Sequence, residues 1–444
     1  MNHRRSFLKF SSAMAAGLWL SSKDSAGEDD QRPPVVSPRA TDGDERHEPE
    51  WDEHLEITVG PDHADLVGND DKAIQAAVDY ISRRGTGTVR LKPGTYTLRA
   101  SVQLTSGLRI VGSGPETIIT RGASESIALA ADSDWYDQEI TLADPGGFRV
   151  GDSILLQATN PHNGGQTAIK RSIIARSDRR LKLNDGLREN LWLSGKPTCS
   201  SLFPLLTSEH TKDVVIEDLV LDGNRQNTEN LNGNYGGCIF LQDCTDYTIR
   251  RVEARNFNGD GISFQICHDV LVDECYSHDN ADLGVHPGSG SQRPLIRKSR
   301  FERNTIGLFW CWGVRYGLAE DNQMTDNRSY GISIGHNDTD NVMQRNRISG
   351  SGLVGILFRD ESRGEDFWAN RNTVVDNEVI NSGGEDGVAI DIQGKTKDVQ
   401  IRRNTIREDR GPGNRTGIRI SSTAERVILD DNRFEGLRTE VSKP

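Results

Sequence analysis

Glycine residues recur at a nearly constant interval through the second half of the chain, and this interval constrains the fold more than any single motif. Gly261, Gly284, Gly307, Gly331 and Gly355 are separated by 23, 23, 24 and 24 residues, and each precedes a branched apolar residue. A fixed period of this length is typical of stacked repeats in which each unit contacts only its neighbours. We therefore expect the chain of 444 residues to contain one long repeat domain with additions.

The glycines also predict which side chains face the core. The residues one and three positions after each glycine are apolar, and side chains alternate along a strand, so we predict that these positions point inwards. The inward pairs are Ile262/Phe264, Val285/Pro287, Leu308/Trp310, Ile332/Ile334, Ile356/Phe358 and Val388/Ile390. The residues two and four positions after each glycine are then predicted to face outwards on one sheet.

A second periodic feature is a series of asparagines. Asn322, Asn346 and Asn432 each lie 15 residues after a repeat glycine, and Asn404 belongs to the same series. Stacked asparagines at a turn can hydrogen-bond from one coil to the next. Such a polar ladder is typical of stacked strands, and a helical solenoid does not need it.

The pattern near the beginning of the folded region is different. Apolar residues at positions 73, 74, 77, 78 and 81 form a helical stripe that begins after the carboxylates of Asp70 and Asp71. The segments TVRLKPGTYTL (88–98) and LRIVGSG (108–114) then read as strands around turns. This arrangement resembles the start of the pectate lyase superfamily of right-handed parallel β-helices. The resemblance implies that the helix caps the open edge of the first coil, which would otherwise be an aggregation site.

These patterns together predict an all-β fold, a right-handed parallel β-helix solenoid with an N-terminal capping helix and a small inserted β subdomain. The insertion is predicted because residues 137–205 interrupt the coil period and contain segments typical of short antiparallel strands. We expect it to form a wall at one end of a groove. The predicted segments are an export signal (1–26), a disordered acidic linker (27–55), the cap and first coils (56–136), the insertion (137–205), the main repeats (206–437) and a tail (438–444).

The extreme N-terminus has the character of an export signal. Arg4 and Arg5 precede a weakly apolar run from Phe10 to Leu20, which is too short for a permanent membrane anchor. The segment resembles a twin-arginine signal, which implies passage of the folded protein across a bacterial membrane. We therefore expect a periplasmic or secreted protein that has no integral membrane anchor once the signal is removed.

Composition narrows the range of partners. The net charge of −13 makes nucleic acid a poor partner. The six cysteines contain no CxxC pair, which argues against a zinc site. Cys244 and Cys267 are one repeat apart, so they form either a disulfide between adjacent coils or two half-buried thiols in a turn.

The outward positions and the turn that follows them form the candidate site. Histidine, arginine, carboxylate and aromatic residues occur together there, and this mixture is typical of a saccharide groove. The candidate catalytic residues are His286, His336, Asp338 and Arg359, and the candidate substrate-binding residues are Phe309, Trp312, Asp360, Glu361, Asp391, His278 and Asp282. The alternative interpretation is a polar cluster that only stabilises turns, and for His278 an Asx-type turn is the simpler explanation.

The residues and the resemblance lead us to expect an exported carbohydrate-active enzyme that acts on an acidic polysaccharide by β-elimination or C5-epimerisation. In polyuronate lyases of this superfamily a base removes the C5 proton and cations neutralise the carboxylate, which makes Arg359 a candidate base. No motif in the sequence establishes a cofactor. Because calcium occurs in pectate-lyase-like proteins, Asp360, Glu361 and Asp391 are candidate ligands for a calcium ion.

Two other functions stay open at the level of sequence. A glycoside hydrolase would use two carboxylates about 5 to 9 Å apart, but the paired Asp-Asp followed by Gly-His-Gly that marks the polygalacturonase branch is absent. The Asp-Pro-His-Asp motif of one mannuronan epimerase branch is matched only in part, by His286-Pro287-Gly288. A non-catalytic glycan-binding or surface-structural β-helix would repeat the same outward residue on every coil.

We predict that His286→Ala and Arg359→Ala abolish activity and leave thermal unfolding nearly unchanged.

Overall fold

The computed structural model describes residues 51–362, 364–411 and 413–443. The predicted export signal and most of the predicted linker, up to residue 50, lie outside the described residues. The chain from Glu56 onwards forms one compact unit. Within the described ranges, no helix has both the length and the apolar character that a membrane span requires.

The first coils are capped by a helix, as predicted. The helix α1 spans Asp71–Ser82, and its N-terminus is capped by Asp70, whose Oδ1 accepts a hydrogen bond from the backbone N–H of Ala73 at 3.1 Å. The apolar stripe of α1 is buried against the first strands. These strands are β1 (Glu56–Gly60), β2 (Leu66–Val67), β3 (Gly87–Leu91), β4 (Gly94–Leu98), β5 (Val102–Gln103), β6 (Leu108–Val111) and β7 (Thr117–Arg121).

The inserted subdomain is a six-stranded antiparallel sheet with an apolar core of its own. Its strands are β8 (Ser126–Ala128), β9 (Glu139–Thr141), β10 (Ser153–Thr159), β11 (Gln166–Ser177), β12 (Arg180–Leu183) and β13 (Thr198–Ser200). The sheet therefore includes a strand that lies before residue 137, where the sequence pattern placed the start of the insertion. Ile169 and Ile173 of β11 point into the core of the insertion, so Lys170 between them points away from it.

The rest of the chain winds into parallel coils. The strands are β14 (Leu206–Glu209), β15 (Lys212–Asp222), β16 (Ile239–Gln242), β17 (Thr245–Arg255), β18 (Ile262–Gln265), β19 (His268–Asp273), β20 (Tyr276–His278), β21 (Leu283–Ser289), β22 (Leu295–Arg297), β23 (Arg300–Glu302), β24 (Ile306–Phe309), β25 (Cys311–Trp312), β26 (Leu318–Glu320), β27 (Gln323–Thr325), β28 (Tyr330–Ile334), β29 (Val342–Gln344), β30 (Arg347–Ser349), β31 (Val354–Phe358), β32 (Thr373–Val375), β33 (Glu378–Ile380), β34 (Val388–Ile392), β35 (Gln400–Arg402), β36 (Thr405–Arg407), β37 (Thr416–Ile420), β38 (Ile428–Asp430), β39 (Arg433–Glu435) and β40 (Thr439–Ser442). Short 3-10 turns span Gly114–Glu116, Leu193–Gly195 and Arg225–Asn227.

Two long parallel sheets run along the coils. The larger one contains 22 strands. The other, which we call the site sheet, contains β5, β14, β16, β18, β21, β24, β25, β28, β31, β34, β37 and β40. Adjacent coils are related by direct parallel pairing, so residues one repeat apart lie side by side.

The glycine period has a steric cause. A Cβ added to Gly284 would lie 2.6 Å from the carbonyl oxygen of Gly307, and one added to Gly307 would lie 2.7 Å from that of Gly331. Both distances are too short for a real side chain, so the backbones of adjacent coils approach as closely as they do only because these positions are glycine. The predicted inward positions are confirmed, since residues such as Ile262 and Ile332 are fully buried.

The predicted asparagine ladder is confirmed and has one further member. The Nδ2 group of Asn322 donates to Oδ1 of Asn346, and the chain of hydrogen bonds continues through Asn377 and Asn404 to Asn432, with distances of 2.9 to 3.0 Å. Asn377 lies 22 residues after the preceding repeat glycine, so the 15-residue spacing did not predict it. The ladder satisfies buried backbone groups at one turn of each coil.

Ion pairs join the outer corners of adjacent coils. At each corner an arginine and an aspartate both adopt the left-handed backbone conformation, and the guanidinium binds the carboxylate of the preceding coil with two hydrogen bonds. These corner pairs are Arg251–Asp218, Arg293–Asp269, Arg303–Asp279, Arg345–Asp321, Arg371–Asp340, Arg403–Asp376 and Arg426–Asp398. Exposed pairs of this kind contribute about 0–1 kcal/mol each.

The six cysteines all lie in the described part of the chain, where none of them forms a disulfide. Cys244 and Cys267 directly precede Thr245 and His268, which pair on adjacent strands, so the two thiols lie on neighbouring coils. Both are buried. Of the two interpretations that the sequence left open, the structure contains the pair of buried thiols.

Candidate functional site

Alternate side chains of the site sheet point away from the core, as predicted, and we call them the outward row. Most of these side chains are nevertheless buried in a polar layer. Ser263 and Ser333 are fully buried and His286 is 5% exposed. One cause is the loop 228–236, in which the carbonyl oxygen of Gly233 accepts a hydrogen bond from Ser263 Oγ at 2.7 Å. Another is Arg359, whose side chain lies across Ser333. The sheet therefore has a covered, preorganised surface in place of an open face.

His286 is fixed by a carboxylate from the preceding coil. Its Nδ1 lies 2.8 Å from Oδ2 of Asp260, and its Nε2 lies 3.2 Å from the carbonyl oxygen of Cys311. The two side chains are 6% and 1% exposed. Both ring nitrogens face oxygen atoms, so the imidazolium form of His286 can donate to both. Burial raises the pKa of Asp260, and the adjacent imidazole opposes that rise.

Arg359 forms the next part of the site. Its guanidinium carbon lies 4.4 Å from the centre of the Phe309 ring. Nη1 donates to Ser333 Oγ at 2.8 Å, Nη2 donates to the carbonyl oxygen of Trp310 at 3.0 Å, and Nε donates to Oε2 of Glu361 at 2.9 Å. An arginine held in this way is a positioned cation, and the geometry favours that role over the role of base.

Asp338 lies beneath Arg359 and is fully buried. Its two oxygens accept hydrogen bonds from the backbone N–H groups of Val314 and Gly335, at 2.8 and 2.9 Å, and Nη2 of Arg359 lies 3.8 Å away. Burial raises the pKa of Asp338 to about 7, although Arg359 and the two N–H groups lower it. The carboxylate closes the turn that carries His336 and does not reach the surface.

Three residues lie together beside Arg359, and we call them the outer cluster: the exposed Trp312 and Glu361, and the buried His336. Nε2 of His336 lies 2.9 Å from Oε2 of Glu361, the same oxygen that accepts the hydrogen bond from Arg359. The Trp312 and His336 rings are 5.2 Å apart. Trp312 is 40% exposed and the Glu361 side chain is 45% exposed. A ligand in solvent can therefore contact this cluster.

An unbroken path of contacts joins the buried and the exposed parts of the site. The His286 ring lies 5.2 Å from the Phe309 ring, Arg359 lies over Phe309, and Arg359 binds the outer cluster. The path crosses several adjacent coils of the site sheet. It contains two imidazoles, a guanidinium, an exposed carboxylate and aromatic faces.

The candidate calcium ligands do not converge. Asp391 binds Arg419 through two hydrogen bonds of 2.8 and 2.6 Å, Glu361 binds the cations described above, and Oδ1 of Asp360 lies 3.4 Å from Nε1 of Trp368. Within the part of the chain that the structure describes, no group of three or more His, Cys, Asp or Glu residues is placed to hold a metal ion. The arrangement of these three carboxylates does not fit a calcium site.

Two predicted residues lie elsewhere. His278 belongs to β20 in the larger sheet, where its ring stacks on Tyr276 at 3.9 Å and its Nδ1 lies 2.6 Å from Asp279. The expectation that His278 lines the same groove is wrong, because the chain turns a corner before it enters the site sheet. Asp282 lies at that corner, and its carboxylate accepts a hydrogen bond from Asn230 at 2.9 Å.

The sequence pattern did not identify Asp260, although a signal was present. Asp260 directly precedes a repeat glycine, and the equivalent positions on the next coils are the apolar or aromatic residues Leu283, Ile306, Tyr330 and Val354. A single carboxylate in an otherwise apolar series is a departure from the repeat. In the structure that departure supports His286.

Comparison with known proteins agrees with the fold. A family model described as the right handed beta helix region matches residues 219–366. The chain is 24% identical over 329 residues to the mannuronan C5-epimerase AlgE2 of Azotobacter vinelandii. This match covers 73% of the present chain but only 24% of that relative.

Two solved structures share the architecture. The Dettilon tailspike protein has a TM-score of 0.55 at 12% identity, with 85% of this chain and 62% of that chain covered. PfbA, a surface adhesin of Streptococcus pneumoniae, has a TM-score of 0.51 at 13% identity, with 85% and 91% covered. At these identities the likeness shows the fold alone. The chain is a right-handed parallel β-helix with a capping helix and an inserted β subdomain.

Proposed function

We propose that this protein is an exported enzyme that acts on an acidic polysaccharide by removing the C5 proton of a uronate unit. The observation that carries the proposal is the path of contacts from His286 through Phe309 and Arg359 to the outer cluster. Such a path supplies fixed cations for a carboxylate, a proton acceptor and an aromatic face for a sugar ring. Each of these is needed for proton removal next to a uronate carboxylate.

The residues in the path have separate roles in this proposal. Arg359 and His286 flank Phe309, and their charges stabilise the negative charge that develops when the C5 proton leaves. Glu361, paired with His336, is the exposed carboxylate of the path and accepts the proton. Trp312 stacks on a neighbouring sugar ring.

Both candidate reactions share this first step. In β-elimination the electrons released at C5 form a C4=C5 double bond, and the oxygen at C4 leaves. In C5-epimerisation a proton returns to C5 from the opposite face. The similarity to AlgE2, named as a mannuronan C5-epimerase, supports a uronate polymer as substrate and epimerisation as one outcome. The N-terminal Arg4-Arg5 segment supports a location in the periplasm or outside the cell.

A glycoside hydrolase is the less favoured alternative. It needs two carboxylates that face the substrate on either side of one bond. Asp260 and Asp338 are 1% and 0% exposed and are held by internal hydrogen bonds. Glu361 is then the exposed carboxylate of the path, and one carboxylate does not provide the pair.

Deuterium incorporation tests the proposal directly. The purified protein is incubated in D2O with a panel of polyuronates, and NMR detects deuterium at C5 while ultraviolet absorbance detects unsaturated products. We expect C5 deuteration with either inverted units or a rise in absorbance. Glu361→Gln is expected to lower the rate by about 100-fold or more.

Glu365→Gln is the matched control, since Glu365 is an exposed carboxylate in the same loop. It is expected to retain wild-type turnover. New reducing ends without deuterium or absorbance would indicate hydrolysis. Binding of a polymer without any of these products would show a glycan-binding protein and would refute the enzymatic proposal.

A further inference from the structure

The inserted subdomain places a lysine over the site sheet. The Lys170 ammonium nitrogen lies 4.2 Å from the centre of the Phe240 ring. Phe240 is 1% exposed, so the lysine and its surroundings cover it. Surrounding protein atoms lower the pKa of Lys170, yet its side chain keeps contact with solvent. Lys170 therefore presents its ammonium group to solvent beside the site sheet.

Phe240 belongs to the same outward row as His286. Phe240 pairs with Ser263 on the next coil, and Ser263 pairs with His286 on the coil after that. Two strand spacings amount to about 10 Å. Lys170 is therefore separated from His286 by a distance that a short oligosaccharide spans.

Lys170 differs from Arg359 in what its N–H groups contact. Arg359 also lies over an outward phenylalanine, but its N–H groups bind Ser333, Trp310 and Glu361. Among the described residues, no carboxylate forms an ion pair with Lys170; Glu209 acts on it only through a longer-range attraction. The ammonium group is thus a positive charge over the site sheet whose hydrogen bonds are available to a ligand.

We propose that Lys170 is a specificity-determining residue that binds the carboxylate of a uronate unit at the end of the site sheet nearest the inserted subdomain. This inference rests on the proposed function, because it takes the acidic polysaccharide as the ligand. The inserted subdomain then selects for charged units about two coils from His286. A neutral polymer of the same shape lacks the group that Lys170 recognises.

The test uses the full chain and two forms of one oligomer: a size-defined polyuronate that the wild type turns over, and the same oligomer with its carboxylates methyl-esterified. Lys170→Met keeps an apolar stem over Phe240 but removes the charge. We expect it to raise KM for the acidic oligomer about tenfold or more and to leave kcat and the affinity for the esterified oligomer unchanged. Lys170→Arg is expected to restore most of the affinity.

Lys182→Met is the matched control, because Lys182 is an exposed lysine of the same subdomain. It is expected to leave KM at the wild-type value, and circular dichroism checks that both variants keep the wild-type melting midpoint. An unchanged KM in Lys170→Met, or an equal loss of affinity for both oligomers, would overturn the inference while the proposed function stands. A wild-type protein that neither binds nor turns over any polyuronate would overturn both.

Discussion

The pair formed by His286 and Asp260 provides a sharp test of how the site is built. The two side chains are 6% and 1% exposed and lie 2.8 Å apart. His286→Gln removes the cation and leaves a buried carboxylate without its partner. Removal of one partner of a buried ion pair typically costs about 3–5 kcal/mol. We therefore expect the free energy of unfolding to fall by about this amount, contrary to the expectation from sequence that substitution leaves unfolding nearly unchanged.

The double variant Asp260→Asn/His286→Gln isolates the interaction. It carries neither charge, so it should be more stable than the sum of the single effects predicts, by about 1–3 kcal/mol. Equilibrium urea unfolding followed by circular dichroism measures all three variants, with the m-values compared to check that the transition is the same. Activity is expected to be lost in each variant, because the positioned cation is absent or misplaced.

A surface pair in the same protein serves as the control. His210 Nδ1 lies 2.7 Å from Asp243, but the two side chains are 68% and 51% exposed. His210→Gln should change the free energy of unfolding by about 1 kcal/mol or less. If His286→Gln costs no more than this control, or if the single effects simply add, then Asp260 and His286 are not coupled and Asp260 does not hold the imidazolium in place.

Three other parts of the structure can be tested in the same way. Trp312→Ala should raise KM for the polymer about tenfold without changing the melting midpoint, while Trp312→Phe, which keeps an aromatic face, should retain most of the affinity; equal losses would refute stacking. Asn346→Ala should cost about 2–4 kcal/mol in urea unfolding, because it leaves buried groups of both adjacent coils unsatisfied, and Asn432→Ala at the end of the ladder should cost less. The pKa of Asp338 is higher in the folded chain, so its contribution to stability is present below about pH 4 and is lost as the pH rises through about 7. The fall in melting midpoint between pH 5 and pH 8 should accordingly be smaller in Asp338→Asn than in the wild type, and an unchanged fall would contradict the raised pKa.

The fold was predictable because the steric requirement behind it is local and recurs in successive coils. A glycine is required wherever adjacent backbones approach closely, as at Gly284 and Gly307, and this requirement appears in the sequence as a period. The asparagine ladder is visible for the same reason. Asn377 escaped prediction only because a longer loop separates it from its glycine.

The site was predictable only in part, because its side chains come from different coils and some, such as Arg359, extend across neighbouring strands. His286, Arg359 and the outer cluster were proposed as site residues because they depart from the repeat on the face that was expected to carry the site. The burial of Ser263 could not be predicted, since it depends on the separate loop 228–236. The ion-pair partner of Asp391 could not be predicted either, because Arg419 lies 28 residues later, on the next coil, and contacts Asp391 on the preceding one.

The order in which cation and carboxylate follow each other along the coils supports the proposal that Glu361 accepts the proton. In the corner pairs, and in the buried pair of His286 with Asp260, the cation belongs to the coil after its carboxylate. Glu361 breaks this rule, because its partners are His336 on the preceding coil and Arg359 in its own turn. A buried carboxylate that gained a proton would release its cation at a cost of several kcal/mol. Glu361 is 45% exposed, so solvent reaches the carboxylate and the same change costs less there than at a buried carboxylate, and the fold tolerates proton transfer at that position.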